Sequence, residues 1–263
     1  MTGGEVVFVG AGPGAADLIT VRGAQVIASA DIVIWASSLV DAAIVANTKP
    51  GAVVIDSASE SLEDITPLYQ RAFEEGLLVA RVHTGDPSIY GATAEQRRIL
   101  EAIGIPHKTI PGVSAFSAAA ARMGVEITIP EVSQTLILTR LEGGRTPMPD
   151  RETVRGFAAH KVTMALYLSA ARNKVLQAEL LAGGYPPDTP CIIGYRVTWP
   201  DELMVRCRLD ELSATMKEHK LWKHTVVLVG PAMAETSSTR SHLYHPGFRH
   251  EYRPSDGTAV VTN

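Results

Sequence analysis

The residue whose setting first points to chemistry is Asp86, within His83-Thr84-Gly85-Asp86-Pro87-Ser88-Ile89-Tyr90-Gly91-Ala92. This stretch follows an apolar, strand-like run and precedes one of helical period. Its glycine allows a ligand close to the main chain, and its proline fixes the backbone behind a carboxylate. The Asp86 carboxylate is suited to accept hydrogen bonds from ligand hydroxyl or amino groups, or to close an Asx-turn on its own backbone. Two further turns share this setting: Gly10-Ala11-Gly12-Pro13-Gly14, and Pro111-Gly112-Val113-Ser114-Ala115, whose Ser114 also suits the start of a helix running to Met123. Open α/β sheets bind ligands outside the carboxyl ends of their strands, so three such turns predict a small-molecule site.

Arg140, Arg145, Arg172 and Arg196 fall at or just beyond strand-like ends in the second half. Solvated surface explains any one of them; as a group they suit an anionic substrate, because guanidinium forks pair bidentately with carboxylates. Other chemistries lack their residues. Histidines 83, 107, 160, 219, 224, 242, 245 and 250 show no metal-ligand spacing, so no metal is expected. Ser37 and Ser38 lack a Gly-x-Ser-x-Gly elbow, which argues against serine hydrolysis. Cys191 and Cys207 form no Cys-x-x-Cys pair and read as small core residues. No side chain stands out as a catalytic base.

The elements that must hold these residues alternate in type. Strands are predicted at Glu5–Gly10, Asp31–Trp35, Ala52–Asp56, Leu77–His83 and His107–Ile110, with helices at Asp17–Ala28, Ser61–Glu75 and Thr93–Ile103. That rhythm implies a largely parallel sheet in an N-terminal α/β domain, residues 1–123. A proline-containing stretch, 124–133, reads as a linker. A second α/β domain, 134–234, has predicted strands at Thr135–Thr139, Val162–Leu168, Pro190–Tyr195, Met204–Arg206 and Thr225–Val229, and helices at Arg151–Ala159, Lys174–Ala182 and Asp210–His219. A hairpin around Val197–Glu202 would make its sheet mixed. Residues 235–263 are polar and aperiodic, an extended or partly disordered tail. With 263 residues, 46% of them hydrophobic, the chain can bury a substantial core. A net charge of −4 and a pI near 6.1 argue against nucleic acid. No apolar run approaches the roughly 18 residues of a membrane span, so a cytoplasmic protein is expected.

The glycines after the first strand invite a dinucleotide reading, that of a Rossmann-type oxidoreductase. Two details weigh against it: the third glycine comes early with Pro13 removing an amide, and Trp35-Ala36 stands where a ribose-binding acid belongs. A carrier that binds without reacting is the non-catalytic alternative.

Taken together and in order, these residues resemble the tetrapyrrole methyltransferases, S-adenosylmethionine-dependent enzymes acting on precorrins and uroporphyrinogen. The likeness runs from about Val6 to Gly230. It rests on Val9-Gly10-Ala11-Gly12-Pro13-Gly14 with Asp17-Leu18, on Gly85-Asp86-Pro87 and Pro111-Gly112-Val113-Ser114-Ala115, and on Val227, Val229, Gly230 and Pro231. Within the family the chain is most similar to the branch that methylates precorrin-4 at C11 in cobalamin synthesis. That likeness lies in Trp35-Ala36-Ser37-Ser38-Leu39-Val40, Gly85–Ala92, Thr139-Arg140 with Gly144-Arg145-Thr146-Pro147, Thr198-Trp199-Pro200-Asp201-Glu202, and the tail with Leu243-Tyr244 and Arg249 to Arg253. Ala36 departs from the acidic residue usual in the uroporphyrinogen branch.

The resemblance implies a homodimer of two-domain α/β subunits, each with an interdomain cleft for donor and tetrapyrrole. By motif, S-adenosylmethionine would contact Pro13, Thr84, Gly85, Asp86, Ile89, Ser114 and Ala115, with Leu168, Tyr195 and Ala232 from the second domain, and S-adenosylhomocysteine would be released. The precorrin would meet Gly12, Ser38, Tyr90, Arg140, Arg145 and Arg172.

Overall fold

In a computed structural model of the chain, residues 3–143, 146–234 and 242–254 are described. They form two compact units. One comprises residues up to Ala119 together with Gly194–Leu203; the other comprises Ala120–Ile193 and the residues from Met204 onward.

In the first unit, strands β1 (Glu5–Gly10), β2 (Ile32–Trp35), β3 (Val53–Asp56), β4 (Leu78–His83) and β5 (His107–Ile110) lie in the order β3-β2-β4-β1-β5. Every recorded pairing among them is parallel. Helices α1 (Val21–Ser29), α2 (Ala42–Val45), α3 (Leu62–Glu74), α4 (Thr93–Ala102) and α5 (Ala115–Met123) intervene. Val6, Val7, Phe8 and Val9 are all fully buried, as a central parallel strand covered on both faces requires. Alternation divides them: Val7 and Val9 pack with Ile27 of α1 and Ile44 of α2, Val6 and Phe8 with Ile65 and Tyr69 of α3 and Leu100 of α4. Because β4, β1 and β5 are neighbours, the three turns that follow them emerge side by side.

Predicted and observed elements differ mainly at their ends. The helix expected from Asp17 begins at Val21, because Thr20 caps it by accepting from Gly23 N at 3.1 Å, and Ala16–Leu18 forms a separate 3-10 turn. A capping box opens α3, where Ser61 and Asp64 exchange hydrogen bonds, so this helix starts where the sequence predicts. The four-residue α2, capped by Asp41, is too short to leave a periodic signal.

The second unit carries β6 (Leu136–Arg140), β7 (Thr163–Tyr167), β8 (Pro190–Tyr195), β9 (Leu203–Arg208) and β10 (Thr225–Val229) in the order β6-β7-β10-β8-β9. β6 runs parallel to β7 and β10 antiparallel to it, so the sheet is mixed, as expected. Helices α6 (Val154–Ala158), α7 (Asn173–Ala182) and α8 (Leu212–Glu218) accompany it. The 124–133 stretch is tied to β7: Thr163 donates through its amide to Ser133 Oγ at 2.9 Å and through its hydroxyl to Ile127 O at 2.9 Å. Of the tail, only 242–254 lies among the described residues.

His83 ends β4 on the Phe8 face, its ring centroid 5.8 Å from that of Phe8, with Nε2 buried and without a hydrogen-bond partner. Burial, reinforced by the Arg81 and Arg97 guanidiniums, pushes its pKa down to about 3. Unfolded histidine titrates near 6.5, so in the window between these values the unfolded chain binds the extra proton and stability rises with pH. Acidification from pH 7 to 5 is therefore expected to remove about 2 kcal/mol, whereas the lowered carboxylates act only below their ordinary range. Denaturant titrations at both pH values should show this loss in the wild type and not in His83→Phe.

Candidate functional site

The three turns are joined into one backbone cluster. Gly12 and Gly85 form an isolated bridge, with Gly85 N donating to Gly12 O at 2.7 Å and Gly12 N to Gly85 O at 3.3 Å. Both lie at positive φ, +83° and +59°, where glycine is at ease. From the other side Gly112 presses in so closely that a Cβ there would sit 2.1 Å from Gly85 O. Asp86 completes the join: Oδ2 accepts from Gly112 N at 3.0 Å, and Oδ1 accepts from Ser88 N at 2.8 Å and from the Ser88 hydroxyl. The Asx-turn reading of Asp86 thus holds, with a cross-link to the next turn added. Burial alone would raise the Asp86 pKa, but these hydrogen bonds outweigh it and hold the carboxyl below its ordinary range. Gly85 itself is half-exposed, and a Cβ there would stand in ordinary contact with the third turn, 3.9 Å from Val113 O.

The first turn does not cradle a phosphate. Ala11 N donates to His83 O at 2.8 Å, Gly12 N to Gly85 O, and Ala15 N to Thr198 Oγ1 at 3.0 Å, while Pro13 has no N–H. Nor does a helix N-terminus face it, for α1 begins at Val21 with its own cap. A pyrophosphate would find these donors already spent, which removes the physical basis of the dinucleotide reading.

What occupies the turn instead is the segment between β8 and β9. Trp199 donates from its indole Nε1 to Pro13 O at 3.0 Å, and its ring edge fills the space where a Gly14 Cβ would stand, 2.3 Å from Cδ1. Arg196 lies over that ring at 4.1 Å and pairs with Asp201, Nε to Oδ1 2.9 Å. Its guanidinium therefore belongs to this segment. Sequence reasoning noted Thr198 and Trp199 only as part of a motif; their grip on Gly12–Ala15, across 183 to 186 residues of sequence, left no local signal.

The remaining expected residues fall into two groups. In the first unit Thr84, Ser38 and Tyr90 are exposed, Ser114 is buried just ahead of α5, and Ile89, Ala115 and Tyr195 are half-buried. The loop carrying Ser38 is held by Asp56, whose Oδ1 accepts from Ser37 N and from Ala58 N, each at 3.0 Å. Tyr90 adopts φ +55°, a strained conformation for an aromatic residue. In the second unit Leu168, just past β7, is 72% exposed at φ +51°, while the adjacent Ser169 is anchored through Leu141 N and Tyr167 O. Holding a leucine exposed at positive φ costs free energy that the anchoring of Ser169 helps to offset. Ala232 is fully buried after β10. Arg140 donates to Thr146 O at 3.1 Å and Pro147 O at 2.9 Å, and Arg172 donates to Glu142 O, so both grip one loop. Arg145 lies outside the described residues.

Gly112→Ala is expected to force the second and third turns apart. It should lower the unfolding free energy by about 1–3 kcal/mol, the usual cost of overpacking, measurable by denaturant titration.

Known proteins match the chain over most of its length. The sequence profile of the tetrapyrrole (corrin/porphyrin) methylases matches residues 5–213. A cobalt-precorrin-4 C(11)-methyltransferase of Methanocaldococcus jannaschii is 43% identical over 251 residues, 95% of this chain and 96% of that one. A precorrin-4 C(11)-methyltransferase of Pseudomonas aeruginosa is 42% identical over 95% of this chain and 99% of its own. The X-ray structure of a cobalamin biosynthetic enzyme, cobalt precorrin-4 methyltransferase, superposes with a TM-score of 0.85 at 42% identity, covering 88% of this chain and 96% of that one. With the three joined turns and two α/β sheets in place, the chain belongs to the tetrapyrrole (corrin/porphyrin) methylases.

Proposed function

We propose that this chain is an S-adenosylmethionine-dependent C-methyltransferase that methylates a precorrin-4-type macrocycle at ring carbon 11, a step of cobalamin synthesis. The observation that carries this reading is the join of the Gly12, Gly85 and Gly112 turns, which appears in a chain more than 40% identical to precorrin-4 C(11)-methyltransferases over nearly its whole length. The cluster sets half-exposed Gly85 beside exposed Thr84, and the amides of Ala11, Gly12 and Ala15 in the first turn are already committed to protein acceptors.

When bound, the donor supplies a methyl group on a sulfonium, which the ring carbon displaces to leave a neutral thioether. The protein's own task is alignment, worth roughly 7–11 kcal/mol when the reacting atoms are held in line. Half-exposed Gly85 beside exposed Thr84 and half-buried Ile89 would hold the donor, with Pro13, Ser114, Ala115 and Tyr195 in the same unit. Asp86 shapes that wall with both carboxylate oxygens committed to the protein, so it fixes the turn and takes no proton. Leu168, 72% exposed in the second unit, would shed apolar surface on binding a ligand, and Ala232 lies fully buried behind the end of β10.

Macrocycle carboxylates would meet Arg140 and Arg172, which grip one loop, and Arg145 would be a third partner; Gly12, Ser38 and Tyr90 would be further contacts with the macrocycle. Gripping that loop leaves further N–H groups of each fork for a carboxylate. The chain would act as a cytoplasmic homodimer; no helix among the described residues is long and apolar enough to cross a membrane. Val53 and Val54, 51% and 44% exposed on edge strand β3, offer an edge for a second copy.

Incubation with isotope-labelled S-adenosylmethionine and precorrin-4, or its cobalt complex, is expected to yield a product one methyl heavier, with carbon NMR placing the label at C11; label elsewhere or no transfer would refute the assignment. Arg140→Ala should raise KM for the macrocycle about tenfold, the loss of roughly 1.4 kcal/mol, with the affinity for S-adenosylhomocysteine unchanged.

A further inference from the structure

We infer that Trp199 is a positioning residue for methyl transfer, which holds the donor-binding turn in register from the segment between β8 and β9. The inference rests on the reading under Proposed function and names a residue which that reading leaves without a role.

The path is continuous through hydrogen bonds and contacts. The Trp199 indole N–H holds the Pro13 carbonyl, and its ring edge abuts Gly14 so tightly that only glycine fits there. One residue on, Thr198 Oγ1 receives the Ala15 amide. Pro13 is joined directly to Gly12, Gly12 is bridged in both directions to Gly85, and the next residue is Asp86, whose carboxylate reaches Gly112 N. A displacement of Pro13 therefore bears directly on Gly85, because the Gly12 amide and carbonyl are both hydrogen-bonded to it.

The segment itself is braced for this task. Arg196 stacks on Trp199 and pairs with Asp201, and Thr198 N donates to Glu202 Oε2. Arg196 and Thr198 adopt φ +43° and +68°, a strain that the surrounding bonds must offset. A segment serving only to connect two strands would have no need of two strained non-glycine residues, an ion pair and a stacked cation. These features brace a tryptophan in one orientation, and what that tryptophan holds is the Pro13 turn.

The test uses the full chain, with S-adenosylhomocysteine as probe. Trp199→Phe keeps an aromatic ring and loses the indole donor; Thr198→Val keeps the shape and loses the acceptor. Trp222→Phe, at a half-exposed tryptophan of the second unit, is the control. Calorimetric titration well below the unfolding temperature should show five- to tenfold weaker binding for Trp199→Phe and Thr198→Val, with Trp222→Phe as wild type. Steady-state assays should show a lowered kcat for the first two. Wild-type affinity and kcat in both, whatever their melting temperatures, would overturn the inference while leaving the proposed function intact. If Trp199→Phe fails to fold, Thr198→Val alone decides between these outcomes. Wild-type protein that takes up no S-adenosylhomocysteine would defeat the underlying reading, and this inference with it.

Discussion

Backbone packed on backbone, with no side chain between, is the constraint on which the site depends. Gly10, Gly85 and Gly112 lie so close that methyl groups on the first or last would overlap a neighbouring turn. Such contact is possible only because β4, β1 and β5 are adjacent and parallel, so their outgoing turns start at one level. The strand order thus supplies proximity, glycine permits the approach, and Asp86 fastens the result with hydrogen bonds that favour its ionised form. Each contribution fails without the other two.

Much of this was legible in the sequence. The β-branched runs marked every strand of both sheets, and the glycine- and proline-bearing segments marked all three turns, because these signals are local and strong. Boundaries slipped where short-range chemistry competed with periodicity, as at Thr20, whose cap stops α1 from reaching back to Asp17. The sequence also gave reasons to doubt a dinucleotide at Gly10–Gly14, and the spent amides of Ala11, Gly12 and Ala15 supply the structural cause.

Other parts were not legible. Asp86 looked equally fit for ligand or turn, since composition cannot show that Gly112 N lies 3.0 Å from its Oδ2. Arg196 resembled Arg140 and Arg172 in its place at a strand end, yet its guanidinium lies on Trp199 and against Asp201. The exposure of Leu168 goes with the anchoring of Ser169, whose Oγ accepts from Leu141 N just past β6. For Asp86 and Ser169 the deciding partner lies 26 and 28 residues away, and for Arg196 it is near in the chain but the direction of the guanidinium is not written in the spacing.

The grouping of Gly194–Leu203 with the first unit has a consequence for anyone who would recombine these proteins. An N-terminal fragment ending near residue 119 would lack the indole and hydroxyl that engage Pro13 and Ala15, leaving a polar gap above its glycines. Chimaeras built by a single crossover would inherit turn and brace from different parents. Swapping the first unit as a functional module requires two grafts, one of them a ten-residue insert inside the other half, and lineages are expected to have exchanged both pieces together or neither.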